Sequence, residues 1–146
     1  MITPILLLSL FFSKPFCSCL PLDPIDDKQY NSYALIAKGR VVKDTIINYE
    51  RLMTFEVDTY YKGGGDAKVI EISTASQDAM CGINPGIGDE WLMFAYGSTT
   101  KYTTGLCTRS KSIDSKVLEY NKEVIKADLK FLNEKKKLTA SQSPQP

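Results

Sequence analysis

The chain of 146 residues contains no histidine. That absence removes the commonest general base, the commonest metal-binding side chain and every histidine-containing catalytic triad. Charge of one sign is not in excess either. Eighteen Lys and Arg stand against 17 Asp and Glu, a formal net charge of +1, where a nucleic-acid binder would carry a basic field. The apolar run Ile5–Phe12, broken only by Ser9, is too short to cross a hydrocarbon core of about 30 Å as a helix. No Gly-Lys-Ser/Thr follows the glycine run Gly63-Gly64-Gly65-Asp66. With a strand expected after it, that run reads as a turn and not as a phosphate cradle. What remains is 43% hydrophobic and 24% charged, an ordinary globular composition for one domain.

Four cysteines and an apolar leader are present. Met1–Phe12 (MITPILLLSLFF) has the length and composition of a signal peptide, so residues 1–16 are expected to be a leader and the protein to be secreted, extracellular or periplasmic. Cutting before Cys17 puts Phe16 and Lys14 at positions that ordinarily hold small residues. A cut after Ser13 puts a small residue last and Phe11 two before it. An even cysteine count behind a leader is the pattern of an exported, disulfide-stapled domain. Four cysteines allow three pairings. Cys17 and Cys19, one residue apart, are not expected to bond each other, which leaves two long-range bridges to Cys81 and Cys107. A Cys-x-Cys with two scattered partners is not the spacing of a zinc ribbon, and free thiols would lack an activating base.

Hydrophobic periodicity then predicts the elements. Leu20–Asp27 is Pro- and Asp-rich and extended, and a short helix fits within Pro24–Ser32. Strands are expected at Tyr33–Val42, Arg51–Lys62, Lys68–Thr74, Glu90–Tyr96 and Tyr102–Thr108. In the second, Met53, Phe55, Val57, Thr59 and Tyr61 alternate onto one face. Glu90–Tyr96 is nearly continuous in apolar residues and so is expected to be central. Five strands at short spacing suggest a small closed or half-closed barrel. From Asp114 to Lys135 the period becomes helical: Val117, Tyr120, Val124, Ala127 and Phe131, with Leu118, Ile125, Leu129 and Leu132 beside them, form a broad apolar face expected to pack on the barrel, ending in Lys135-Lys136-Lys137. Residues 136–146 read as a disordered tail.

These pieces together carry a resemblance. Cys17-Ser18-Cys19-Leu20-Pro21, Tyr30-Asn31-Ser32, Tyr60-Tyr61-Lys62-Gly63, Cys81-Gly82, Trp91-Leu92-Met93-Phe94 and Thr103–Cys107 follow in that order. Over Cys17 to about Ser110 the chain resembles the N-terminal domain of the tissue inhibitors of metalloproteinases, and more broadly the netrin-like module. Tyr30 stands about where animal members have a third cysteine. The resemblance implies a five-stranded OB-fold barrel, mainly β, with a short N-terminal and a longer C-terminal helix. It implies the bridges Cys17–Cys81 and Cys19–Cys107. It also implies a mechanism. The free amine and carbonyl of a mature Cys17 would chelate the zinc of a target proteinase, and Ser18 would enter the pocket beyond. An inhibitory ridge of Cys17, Ser18, Cys19, Leu20, Asp78, Ala79 and Met80 would make the contact.

On this reading the partner is a zinc metalloproteinase. The protein is expected to be a monomer that needs no cofactor of its own, binds no nucleic acid, does not insert stably in membranes and is not an enzyme. The competing reading is a secreted netrin-like binding or structural module without inhibitory activity.

Overall fold

The computed structural model describes residues 17–77, 80–114 and 119–142. The elements run α1 (Asp27–Ser32), β1 (Leu35–Ile47), β2 (Glu50–Lys62), β3 (Val69–Ala75), β4 (Glu90–Ser98), β5 (Lys101–Thr103), β6 (Lys111–Ser112) and α2 (Glu119–Gln142). Five strands close into a barrel in the order β1-β2-β3-β5-β4, with β1 pairing back onto β4 and β6 added outside β4. All neighbours are antiparallel except β3 and β5. The architecture is the mainly β, OB-like barrel with one short and one long helix that the resemblance implies.

Closure falls on β1, whose first half pairs with β4 (Leu35↔Ala95 to Arg40↔Glu90) while Ile36 to Ile47 pairs, with register shifts, with β2. Closing a five-stranded barrel requires its strands to coil. Gly39 allows this, because a Cβ there would lie 2.1 Å from the carbonyl oxygen of Glu56. Strand β1 continues past the expected Val42 to Ile47 and turns through Asn48 and Tyr49, at φ 49° and 64°. Two consecutive residues at positive φ make a type I′ hairpin, a turn usually announced by Asn-Gly.

Two apolar cores result. The barrel interior holds Leu35, Ala37, Val41, Met53, Phe55, Ile72, Ile83, Met93, Ala95 and Tyr102. A second core, between the barrel wall and the helices, holds Tyr33, Ile36, Leu92, Phe94 and Leu132, flanked by Ile25, Tyr30, Tyr61, Leu129 and Phe131. Successive strand residues point to opposite faces, so β1 and β4 feed both cores. That is why Trp91–Tyr96 is apolar throughout, and the central position of Glu90–Tyr96 agrees with the expectation.

Four expectations need correction. Thr59 and Tyr61 do not continue the inward face of Met53, Phe55 and Val57. Lys38 pairs with Thr59 but Gly39 with Val57, so Asp58 is a bulge that reverses the alternation. Tyr60 then packs on the barrel core and Tyr61 on the second. The last barrel strand is only Lys101–Thr103, and Cys107 lies in the turn after it. The buried centre of α2 is Ile125, Asp128 and Leu132, with Leu129 and Phe131 partly buried beside them and Ala127 exposed. Ile125, Leu129, Phe131 and Leu132 thus lie on the expected apolar face, and Ala127 is the member that turns out to face solvent. Val117 and the side chain of Tyr120 lie outside the described residues. Finally, α2 continues to Gln142, because Leu138, Ala140 and Gln142 are good helix formers and the first proline comes at Pro144. Of the expected tail, 143–146 lie outside the described residues, as does the leader 1–16.

Candidate inhibitory edge

Residues 17–26 form no helix or strand, and Pro21 and Pro24 bias them toward extended backbone. Three anchors position this segment. Cys17 is bonded to Cys81 with Cα atoms 5.3 Å apart, and Cys19 to Cys107 with Cα atoms 5.2 Å apart. These are the pairs implied by the resemblance. The third anchor is Arg109, which bonds the Asp23 carbonyl.

Each bridge partner is itself held by the barrel. Beyond β3, Met80 N–H donates to the Gln77 carbonyl at 3.0 Å. Cys81 then takes φ 61°, a left-handed conformation uncommon for a side chain with a Cβ. Gly82 follows because nothing larger fits: a Cβ would fall 1.8 Å from the Ala75 carbonyl oxygen. Ile83 plugs the barrel core, and its N–H donates to Thr74 Oγ1 at 3.2 Å. Cys107 sits in a turn fastened by buried hydroxyls. Thr104 and Ser110 both donate to the Phe94 carbonyl, at 2.9 and 3.0 Å, and the Phe94 N–H donates to Ser110 Oγ at 2.8 Å. The two turns are tied together where Leu106 N–H donates to the Cys81 carbonyl at 2.7 Å.

The result is an edge with side chains in solvent. Ser18 is exposed, Leu20 is 88% exposed and Met80 55% exposed, while Cys17 and Cys19 are partly covered. Asp78 and Ala79, the rest of the expected ridge, lie outside the described residues. Cys19, Leu20, Pro21, Leu106, Lys111 and Val124 help line a pocket of about 180 Å³ behind the edge. Burial lowers the pKa of Lys111 there, with Asp128 pulling it back up. The Sγ atoms of Cys17, Cys81 and Cys107 lie within 4.8 Å of one another. Bonded in disulfides, they are not the thiolates a metal takes as ligands.

Sequence reasoning missed Arg109. Its side chain is 1% exposed and meets Asp128 of α2, 2% exposed, in a two-point ion pair. Its Nη1 also donates to the Asp23 carbonyl and to Gln29 Oε1, both at 2.7 Å. One guanidinium thus ties the N-terminal segment, α1 and α2 to the turn that carries Cys107. Burial pushes the Asp128 carboxyl up against the downward pull of Arg109. A signal for Asp128 was present: an acid spaced helically between Ile125 and Leu132 lies on the buried face and needs a cation.

The tyrosine-lysine-glycine piece of the resemblance has a structural role. Lys62 Nζ donates to the carbonyls of Tyr30 and Asn31, both at 3.0 Å, and so caps the end of α1. Tyr30 donates from its hydroxyl to the Tyr61 carbonyl at 3.0 Å, and its ring meets Phe131 edge-on at 6.2 Å. Tyr30 therefore fastens α1 to β2 by a hydrogen bond and to α2 by packing.

Among the described residues no helix is long and apolar enough to cross a membrane. No family model matches the chain, and no curated protein matches it either.

Proposed function

We propose that the chain is a secreted inhibitor of zinc metalloproteinases, similar to the N-terminal domain of the tissue inhibitors, acting through Cys17 as its mature first residue. The observation that supports this reading most is the clamped edge. Two adjacent bridges and Arg109 hold Cys17–Asp23 against the barrel, while Ser18, Leu20 and Met80 stay in solvent. An edge already fixed in place loses little conformational entropy on docking, which favours tight binding. In this reading the unprotonated α-amine and the carbonyl oxygen of Cys17 occupy the open coordination position of the target's zinc, where the hydrolytic water would sit. Ser18 enters the adjoining pocket and selects among proteinases. The protein supplies donors and no catalysis. The two bridges are compatible with an extracellular location.

The test begins with N-terminal sequencing and intact mass of the exported protein. A form beginning at Cys17 should titrate a zinc metalloproteinase one to one. One alanine added before Cys17 turns the amine into an amide and should abolish inhibition with both bridges intact. Replacing Ser18 with a bulky residue should change which proteinases are inhibited. Failure of the Cys17 form against a broad panel, or equal inhibition by the extended form, overturns the mechanism.

A netrin-like binding module without inhibitory activity is the second reading. Ile46, Ile47 and Tyr49 favour it, because they expose apolar surface together at the β1–β2 hairpin.

A further inference from the structure

Three of the four disulfide sulfurs form one cluster: Cys17, Cys81 and Cys107 Sγ lie within 4.8 Å of one another, although they belong to two different bridges. Cys107 is exposed and the other two are partly exposed. The four cysteines are not held alike. Cys81 and Cys107 sit on turns joined by the Leu106 N–H to Cys81 carbonyl bond at 2.7 Å. Each turn is also anchored to the barrel, through Ile83 and through the Thr104 and Ser110 hydroxyls. A backbone bond separate from both bridges therefore also holds Cys81 beside Cys107. Cys17 and Cys19 lie on a segment without helix or strand, whose next anchor is the Arg109 bond to the Asp23 carbonyl.

We propose that this cluster is a thiol–disulfide exchange site, at which a small thiol converts the two bridges into a single Cys81–Cys107 bond and frees Cys17 and Cys19. A thiolate attacks Cys17 Sγ, forming a mixed disulfide there, and the Cys17–Cys81 bond breaks with Cys81 leaving as thiolate. Cys81 then attacks the neighbouring Cys107 Sγ. The Cys81–Cys107 bond forms, the Cys19–Cys107 bond breaks, and Cys19 leaves as thiolate and takes a proton. A second thiol resolves the mixed disulfide at Cys17. In sum, two protein disulfides and two thiols give one protein disulfide, two protein thiols and one oxidised small-molecule disulfide, a transfer of two electrons. Exchange between sulfurs held side by side is intramolecular and outpaces a second bimolecular attack. The product retains the barrel and the Arg109 anchor and loses the clamp on residues 17–22. The proposal rests on the sulfur positions and stands whether or not the edge inhibits a proteinase.

The test is a time course of the full chain with limiting reduced glutathione at pH 8, quenched with iodoacetamide and mapped by mass spectrometry without further reduction. The expected early product carries glutathione on Cys17 (an alkyl group there once the mixed disulfide is resolved), an alkyl group on Cys19 and a peptide linked through Cys81–Cys107. A partly reduced species alkylated on Cys17 and Cys81 with Cys19–Cys107 intact overturns the proposal. So does a Cys17–Cys107 link, or full reduction with no Cys81–Cys107 peptide at any time. In Cys17→Ser the Cys81 thiol is free from the start. That variant should carry Cys81–Cys107 with Cys19 alkylated, and Cys19–Cys107 with Cys81 alkylated refutes the exchange. Should the variant misfold, the wild-type time course decides by itself.

Discussion

Arg109 and Asp128 face each other across the join between barrel and helix α2, with Nε 3.1 Å from Oδ2 and Nη2 2.6 Å from Oδ1. Both side chains are out of water. Such a pair sets geometry more than it adds stability, because desolvation offsets much of the attraction. Removing one partner is another matter, since it strands a buried charge. Asp128→Asn should therefore destabilise the protein by about 3–5 kcal/mol in equilibrium urea unfolding. Arg109→Met should in addition loosen residues 17–23, read as faster amide exchange there. A loss under 1 kcal/mol for Asp128→Asn would show that the pair is not buried as described.

Gly82 should tolerate no side chain. A Cβ at that position would sit 1.8 Å from the Ala75 carbonyl oxygen, an overlap with backbone that no rotamer relieves. Gly82→Ala should cost about 1–3 kcal/mol or more. It should also displace Cys81, so that the yield of the Cys17–Cys81 bridge on oxidative refolding falls. Unchanged stability and bridge yield together would contradict the placement of this turn.

Tyr33 supplies a pH signature. Its pKa is pushed up to about 12, first by burial and then by the neighbouring Tyr96 hydroxyl. Between its ordinary value near 10 and 12, the unfolded chain has released this proton and the folded protein keeps it. The stabilisation is therefore complete below about pH 10 and is lost as pH rises through the folded value. Urea unfolding from pH 8 to 11 should show stability falling more steeply in the wild type than in Tyr33→Phe. Parallel curves would exclude the effect. The comparison needs the variant, because burial also raises Tyr60 and Tyr61.

Helix α2 should be part of the domain and not an appendage. Leu132 is fully buried against the second core with Ile36, Leu92 and Phe94. Ending the chain after Asp114 removes that cover and the partner of Arg109, and should lower the melting temperature clearly. Each large buried side chain exposed costs roughly 1.5–3 kcal/mol. An unchanged melting temperature would mean that the helix is not needed to cover this core.

Local chemistry made much of the fold legible in advance. Alternation in Met53–Val57 and the unbroken apolar run of Trp91–Tyr96 depend only on which faces a strand buries. The glycine turn at 63–65 and the helical period after Asp114 are likewise read from neighbours in sequence. The tertiary structure alone decided the rest, because each remaining feature joins residues far apart in the chain. The bulge at Asp58 arises where β2 follows the coil of β1 at Gly39, so alternation by itself carried Thr59 and Tyr61 onto the wrong face. Strand β6 is two residues long and exists only because β4 has an edge to fill. Arg109 looks like a surface residue until α2 brings Asp128 to it and the N-terminal segment brings Asp23. Cysteine count and spacing established that two bridges were available. That the two lie side by side, with three sulfurs in mutual reach, was set by the backbone bond joining the turns of Cys81 and Cys107.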